Sequence, residues 1–171
     1  SGDELETWAN TNVGEATLRG ASLQWQAKLS KIINYGGHIN YTHGETRKDK
    51  IPVASILPWQ GTQSLSLKKD RLQGQLSFVF AGKKHPKDYS SGGEDGLEET
   101  PIIGRSDTTG EIEYAGAPSW HRFDLRLTYN INATTKVGAD LHNLFDLHYK
   151  EFASGISAPG RSIRLRLQYR F

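Results

Sequence analysis

The stretch Arg161-Ser-Ile-Arg-Leu-Arg-Leu-Gln-Tyr-Arg-Phe171 decides the fold class. Strand side chains alternate with period two, so Ile163, Leu165, Leu167, Tyr169 and Phe171 share one face, while Arg164, Arg166, Gln168 and Arg170 share the other. One face is apolar and the other cationic, as a single sheet lying between hydrocarbon and water requires. The pattern also runs to the final residue, whereas the ends of soluble domains usually fray. An edge strand of a soluble sandwich alternates in the same way, so the upstream segments must separate the two.

Composition narrows the classes. The chain has 171 residues, no Cys and no Met, and a formal net charge of +2. No disulfide framework and no thiolate metal site can form, and so small a net charge implies no nucleic-acid partner. No apolar run approaches the roughly 18 residues of a spanning helix. A mean hydropathy of −0.60 does not exclude a membrane barrel, which exposes only alternate residues to lipid and carries polar loops. Eighteen Gly and the shortage of helical periodicity favour strands. The absence of an initiating Met leads us to expect that the chain does not begin at its own start codon.

Seven segments read as strands: about 16–30, 33–45, 61–69, 71–83, 120–131, 135–149 and the terminal stretch. In the fifth, Phe123, Leu125, Leu127, Tyr129 and Ile131 oppose Asp124, Arg126, Thr128 and Asn130; in the sixth, Val137, Ala139 and Leu141 oppose Gly138, Asp140 and His142. Short polar links (Ser30 to Asn34, Lys69 to Arg71, Asn132 to Thr135) alternate with long ones at about 46–60, 84–119 and 150–161. Outer-membrane barrels combine short periplasmic turns with long external loops in this way. With Phe171 at the periplasmic side, all three long links face outside, and 84–119 is the longest. Its richness in Gly, Ser, Asp and Glu predicts irregular surface structure, as does that of residues 1–12.

The motifs Asn12-Val-Gly-Glu-Ala-Thr-Leu-Arg-Gly20, Ala117-Pro-Ser-Trp120, Asn143-Leu-Phe-Asp146 followed by Tyr149, and Pro159-Gly-Arg161 resemble, in order and spacing, the C-terminal barrel signatures of TonB-dependent outer-membrane receptors. The run from Tyr149 to Arg161 is especially similar to the haem, cobalamin and siderophore branch. The resemblance covers essentially the whole chain. It implies an all-β, antiparallel transmembrane barrel of about 22 strands with a plugged lumen, in the outer membrane of a Gram-negative bacterium. About seven C-terminal strands are present here, without the plug and without the N-terminal segment that meets the TonB complex. The expectation is therefore a C-terminal piece of such a receptor. It binds a scarce chelate (siderophore, haem or cobalamin-like) outside and imports it with TonB-transmitted energy. Its implied partners are the remaining strands and plug, the TonB complex, lipid, and the barrel-assembly machinery, which would read Leu165, Leu167, Tyr169 and Phe171.

Residue roles follow from parity and position. Lys28, Arg126, Asp140, Arg164 and Arg166, with Lys68, Asp124 and Arg170, belong to the wet face, where they line water, grip the plug through ion pairs or guide an anionic solute. On lipid each would cost about 2–4 kcal/mol at the midplane. Asn143, Asp146 and Pro159-Gly160 suit a strand-to-loop turn. Trp8, Trp25, Trp59, Trp120, Tyr35, Tyr41, Tyr149, Tyr169 and Phe171 suit aromatic girdles. His85, Tyr89, Trp120 and His121 are the loop candidates for substrate contact, with His148 a further external His. His38 and His142 both face inward but on distant strands, and no metal spacing or cofactor motif is present. The acidic pairs Glu94-Asp95 and Glu98-Glu99 suit either Ca²⁺ or plain solvation. No catalytic motif is found. Two other readings stay open: a small autonomous eight-stranded barrel acting as anchor, adhesin or lipid-modifying enzyme, and a soluble β-sandwich.

Overall fold

Alternating sequences form strands wherever neighbours can pair their backbone groups, and nearly every predicted segment does so. The computed structural model describes residues 14–171; Trp8 and the reading of residues 1–12 lie outside the described residues. In chain order the strands are β1 (Ala16–Lys28), β2 (Ile33–Thr46), β3 (Trp59–Lys69), β4 (Leu72–Ala81), β5 (Ile102–Arg105), β6 (Ile112–Tyr114), β7 (Trp120–Asn130), β8 (Thr135–His142) and β9 (Ser162–Tyr169). Seven of them make one sheet in the order β1-β2-β3-β4-β7-β8-β9, every neighbouring pair antiparallel; β5 and β6 pair separately as a ribbon.

The short turns are closed by their own polar side chains. Ser30 Oγ accepts the N–H groups of Ile32 and Ile33 at 3.2 and 3.1 Å. Asn132 Oδ1 accepts those of Thr134 and Thr135 at 2.9 and 2.8 Å. Asp70 takes φ +48° between β3 and β4, a left-handed conformation that Asp tolerates better than most residues. These three turns share one end of the sheet, and the long connections share the other.

Register then sorts the side chains. Ala27, Tyr35, Leu65, Leu76, Leu125, Leu141 and Ile163 form a continuous row across all seven strands. On that face no Asp, Glu, Lys or Arg lies within Ala21–Ala27, Ile33–Tyr41, Trp59–Leu67, Leu72–Phe80, His121–Tyr129, Val137–Leu141 or Ile163–Tyr169. Arg19, His43 and Glu45 share this parity only beyond Tyr41 on the long-loop side, and Lys69 only at a short turn. One step along, the row runs Lys28, Asn34, Ser66, Gln75, Arg126, Asp140, Arg164, and the next contains Lys68, Gln73, Thr128, Gly138 and Arg166.

Nothing covers the apolar face among the described residues. Leu165 and Leu167 are 78% and 74% exposed, and the buried apolar residues are Ala81, Tyr89 and Tyr149, all at the long-loop end. Monomers in water rarely expose contiguous apolar patches beyond a few hundred Å². A dry core of the kind a soluble sandwich needs is missing from this sheet. Among the described residues both borders, β1 and β9, also lack an outer partner and do not pair with each other, so these seven strands by themselves do not close as a small autonomous barrel.

Rings on the apolar face follow the girdle expectation in part. Tyr41 packs on Trp59 at 4.6 Å, Trp25 on Tyr35 at 6.2 Å and Tyr169 on Phe171 at 5.3 Å. A Cβ at Gly37 would stand 2.8 Å from the Trp25 ring and 2.5 Å from the Thr62 carbonyl, so only glycine lets that ring lie across β2. Trp120 corrects the expectation. It pairs with Ala81 and lies in the row of Gln60, on the polar face, where Tyr149 packs against it.

Two boundaries also differ from the sequence reading. The sixth strand stops at His142, not near 149, because Asn143 and Asp146 adopt φ +50° and +57° and break the pleat. The stretch 84–119 contains the β5–β6 ribbon and two 3-10 turns, Pro86–Asp88 and Leu97–Glu99, so it is more ordered than its composition suggested.

Placing a cation on the apolar face should be far costlier than on the polar one. In the protein assembled in lipid vesicles, Leu125→Arg is expected to lose about 2–4 kcal/mol, and Ser66→Arg about 0.5 kcal/mol or less, measured by denaturant unfolding. Equal losses would contradict the assignment of faces.

Candidate functional site

At the long-loop end the connections are tied to one another. Lys84 lies just past the end of β4 at Ala81, and its N–H donates to the Ala117 carbonyl at 3.0 Å, clamping the two limbs of the longest loop. Its Nζ donates to Asp95 Oδ2 at 2.7 Å and to the Ile56 carbonyl at 2.8 Å. The ammonium also lies 4.2 Å from the Phe152 ring centre and 4.9 Å from that of Tyr89. Asp95 Oδ1 accepts the Ser55 N–H at 2.6 Å. Both members of the pair are 1% exposed.

Lys84 thus joins three loops: 47–58 through Ser55 and Ile56, 84–119 through Asp95 and Ala117, and 143–161 through Phe152. Tyr89 seals the same knot. Its hydroxyl accepts the Ala117 N–H at 2.9 Å, and its ring meets Phe152 edge-on at 6.1 Å. Burial pushes the Tyr89 phenol up from its ordinary value, the Ala117 N–H opposing and the Asp95 charge adding to the rise. Gly116, at φ +74°, lets the second limb pass against the Lys84 carbonyl and the Pro86 ring.

Below this knot the polar face carries a second network. Arg122 donates through Nε to Asp124 Oδ2 at 3.2 Å and through Nη1 to the Tyr149 hydroxyl. Tyr149 stacks on Trp120 at 4.3 Å. Asp124 Oδ1 accepts the Asn143 N–H at 2.9 Å. Asn143 then closes the turn, its Oδ1 accepting the Leu147 N–H at 2.9 Å and its Nδ2 donating to the Leu147 carbonyl at 2.8 Å. Asp146 Oδ1 accepts the Arg161 N–H at 2.6 Å, setting the entry to β9. The Asn143-to-Asp146 motif therefore has the architectural role its residue types implied.

Two open clefts flank this network. One, of about 370 Å³, lies between 89–101 and 148–154 and is edged by Glu99, Lys150 and Phe152. The other, of about 380 Å³, lies on the polar face; Leu57, Val79, Ala81 and Phe152 give it apolar walls, Trp120 an aromatic side, and His38, Gln60 and Thr62 its hydrogen-bonding groups. Both volumes fall at the lower end for small-molecule sites, about 300–1,000 Å³. Arg122 borders the second cleft with its charge already committed to Asp124, and Glu151 adds a carboxylate to the lining, so that cleft offers stacking, neutral polar contacts and one acid rather than a bare cation.

The four loop candidates do not form one site. Trp120 lines the cleft on the polar face, while Tyr89 is 6% exposed and serves the knot. His85 is exposed at the head of the first 3-10 turn. His121 points to the apolar face, its ring 5.6 Å from Phe78 and 6.5 Å from Phe123; it turns away from Trp120 because adjacent strand residues take opposite faces. Asp95 is buried against Lys84, so the acidic pairs do not act together as a cation loop. Lys28, Arg126, Asp140, Arg164 and Arg166 all lie on the polar face, and Leu165, Leu167 and Tyr169 on the apolar one. Three strands separate His38 from His142, and among the described residues no group of three His, Asp or Glu gathers at metal-binding range. Arg122, Tyr149 and Phe152 were not anticipated as site residues; the even number of Arg122, opposite in parity to Phe123, was the available signal.

Comparison with known proteins follows this geometry. A family model described as TonB dependent receptor-like, beta-barrel matches residues 1–144. No curated protein matches the sequence. Among solved structures, the copper transporter OprC superposes with a TM-score of 0.71 at 16% identity, over 91% of this chain and 24% of that one. The siderophore receptor PirA from Acinetobacter baumannii gives 0.67 at 15% identity, over 91% and 22%. A chain of the FpvAI–pyocin S2 complex gives 0.64 at 12% identity, over 90% and 19%. The chain thus spans about a quarter or less of these neighbours, and at such identities the likeness is one of fold.

Removing one member of the buried pair should release the loops. Lys84→Ala strands Asp95 and is expected to cost about 3–5 kcal/mol locally, seen as faster amide exchange at 53–57, 84–96 and 150–154. The double change Lys84→Met with Asp95→Leu should cost clearly less. Unchanged exchange in Lys84→Ala would contradict the knot.

Proposed function

The chain belongs to the TonB-dependent receptor β-barrel family, and from that premise we propose that it forms part of an outer-membrane transporter which captures a scarce chelate outside the cell and imports it with TonB-transmitted energy. The family is one of receptors and transporters, so no catalytic role is assigned. The observation that carries the reading is the charge-free apolar face backed by a wet one across all seven strands, with every long loop at one end. Such a wall is stable only with lipid outside and a polar filling inside.

In this reading the polar face lines the lumen, and the unpaired borders of β1 and β9 join the remaining strands. A plug fills the barrel, and its far side meets the TonB complex. The barrel-assembly machinery engages Leu165, Leu167, Tyr169 and Phe171. Stretch 84–119 forms the largest external loop. Cargo rests where the lumen opens to the outside, against Trp120 and Phe152, with Gln60, Thr62 and His38 available for hydrogen bonds. A siderophore, a haem or a cobalamin-like chelate each offers a flat or apolar part to such a wall. The neighbours carry copper and siderophore in their own descriptions, and siderophore-type cargo is the variant we favour.

Loss of Trp120 should weaken capture without impairing assembly. Trp120→Ala in the complete receptor is expected to bind chelate about tenfold more weakly, roughly 1.4 kcal/mol, in whole-cell binding and TonB-dependent uptake assays. Full affinity in Trp120→Ala, with assembly normal, would remove Trp120 from the cargo site. Deleting Phe171 should do the opposite, lowering the assembled fraction on unheated gels while the receptors that do insert transport normally; equal insertion would contradict the terminal signal.

A further inference from the structure

Charge is nearly balanced where the two clefts meet. Among the described residues that line them, the cations are Arg122 and Lys150, and the carboxylates are Asp95, Glu99 and Glu151. Asp95 belongs to Lys84 in the knot, and Glu99 stands 3.7 Å from Lys150. Arg122 is left to serve two acids. Its Nε meets Asp124 at 3.2 Å, whereas Glu151 stays 3.9 Å from Nη1, which already donates to the Tyr149 hydroxyl. One negative charge is therefore left over, and it sits on Glu151.

The Glu151 side chain is 59% exposed, yet its backbone is held on both sides. Tyr149 is buried against Trp120, and its carbonyl accepts the Ala158 N–H at 2.8 Å. Phe152 lies 4.2 Å from the Lys84 ammonium, and the Glu151 carbonyl accepts the Ser154 N–H at 3.1 Å. The floor of the cleft on the polar face comes from β2, β3, β4 and β7, none of them a border of the sheet. Trp120 and Phe152 add ring faces, whose negative partial charge attracts cations. Gln60 and Thr62 add no formal charge.

We propose that this wall selects a chelate carrying a positively charged group on its periphery, and that Glu151 is the specificity-determining residue that pairs with that group. This rests on the transporter reading above, with cargo seated against Trp120. An ammonium on the chelate meets the spare carboxylate and lies beside aromatic rings. A chelate ringed by carboxylates or ionised catechols brings like charge to the same place. Electrostatic matching of this kind gives specificity more than raw affinity.

The test uses cells carrying the complete receptor and three forms of one linear ferric trihydroxamate. They differ only at a chain end, which is a free amine, an N-acetyl or an N-succinyl group, making the complexes cationic, neutral and anionic in turn. A ferric tricatecholate, haemin and cobalamin complete the panel for binding and TonB-dependent uptake. The amine form should bind about fivefold more tightly than the succinyl form, the scale of a solvent-facing ion pair, with the acetyl form between them. Glu151→Gln should bring the three together and Glu151→Lys should reverse their order, with the assembled fraction on unheated gels unchanged. Equal affinities for the three forms in the parent, or the parent's order retained in Glu151→Lys, would overturn the proposal. So would import confined to the tricatecholate, haemin or cobalamin, an outcome that leaves the transporter reading standing. If the assembled receptor imports no chelate of any kind, the transporter reading itself fails, and this inference with it.

Discussion

Hydrocarbon offers no hydrogen bonds and tolerates no formal charge, and this single constraint shapes the sheet. Every backbone group within such a span must pair with a neighbouring strand, which accounts for seven antiparallel strands joined alternately by minimal turns and by long loops gathered at one end. Every second side chain must be apolar, which accounts for the charge-free row from Ala27 to Ile163. In water this face would be a liability, because no second layer among the described residues covers Leu165 or Leu167. On the proposed reading it faces lipid, and backbone pairing between the strands holds the sheet together. The polar face answers to a different solvent and is free to carry Arg126, Asp140 and Arg166 as a three-membered ion cluster.

At the long-loop end the physics changes, because the chain leaves the apolar layer and must bury something of its own. The protein does so with few groups. Lys84 and Asp95 form an ion pair shielded by Tyr89 and Phe152, and Asn143 organises the approach to β9 through both ends of its amide. A buried pair of this type contributes little net stability over an apolar substitute, but loss of either partner is costly. Its consequence is geometric: three loops share one arrangement, so the cleft beside Trp120 has fixed walls on the Leu57 and Phe152 sides.

Most of the sheet was legible in the sequence, because period-two alternation is a local property. Leu125 and Arg126 declare their faces without knowledge of their neighbours, and Ser30 and Asn132 carry their own turn chemistry. The same rule would have placed Trp120 inward, opposite in parity to Phe123; treating it as a girdle residue weighed its aromatic character above its register. What alternation cannot convey is contact between loops. Lys84 and Asp95 are 11 positions apart in a Gly-rich stretch, and nothing local distinguishes Asp95 from its exposed neighbour Glu94. The β5–β6 ribbon was missed although Gly110 lies in a polar turn between Ile103 and Ile112, because the surrounding Gly and Ser suggested irregular chain. The early end of β8 reflects left-handed Asn143 and Asp146, residues whose suitability for turns was evident but whose exact boundary was not.

The central claim is that odd and even positions of β7 face different solvents, and spin labels read that directly. Labels at Leu125, Leu127, Arg126 and Thr128 of the complete receptor in bilayers would be relaxed by lipid-soluble oxygen and by a water-soluble nickel chelate. The account predicts that Leu125 and Leu127 favour oxygen and exclude nickel, while Arg126 and Thr128 do not share that oxygen preference. Four positions with one common accessibility, or Leu125 and Leu127 shielded from both reagents inside protein, would contradict it.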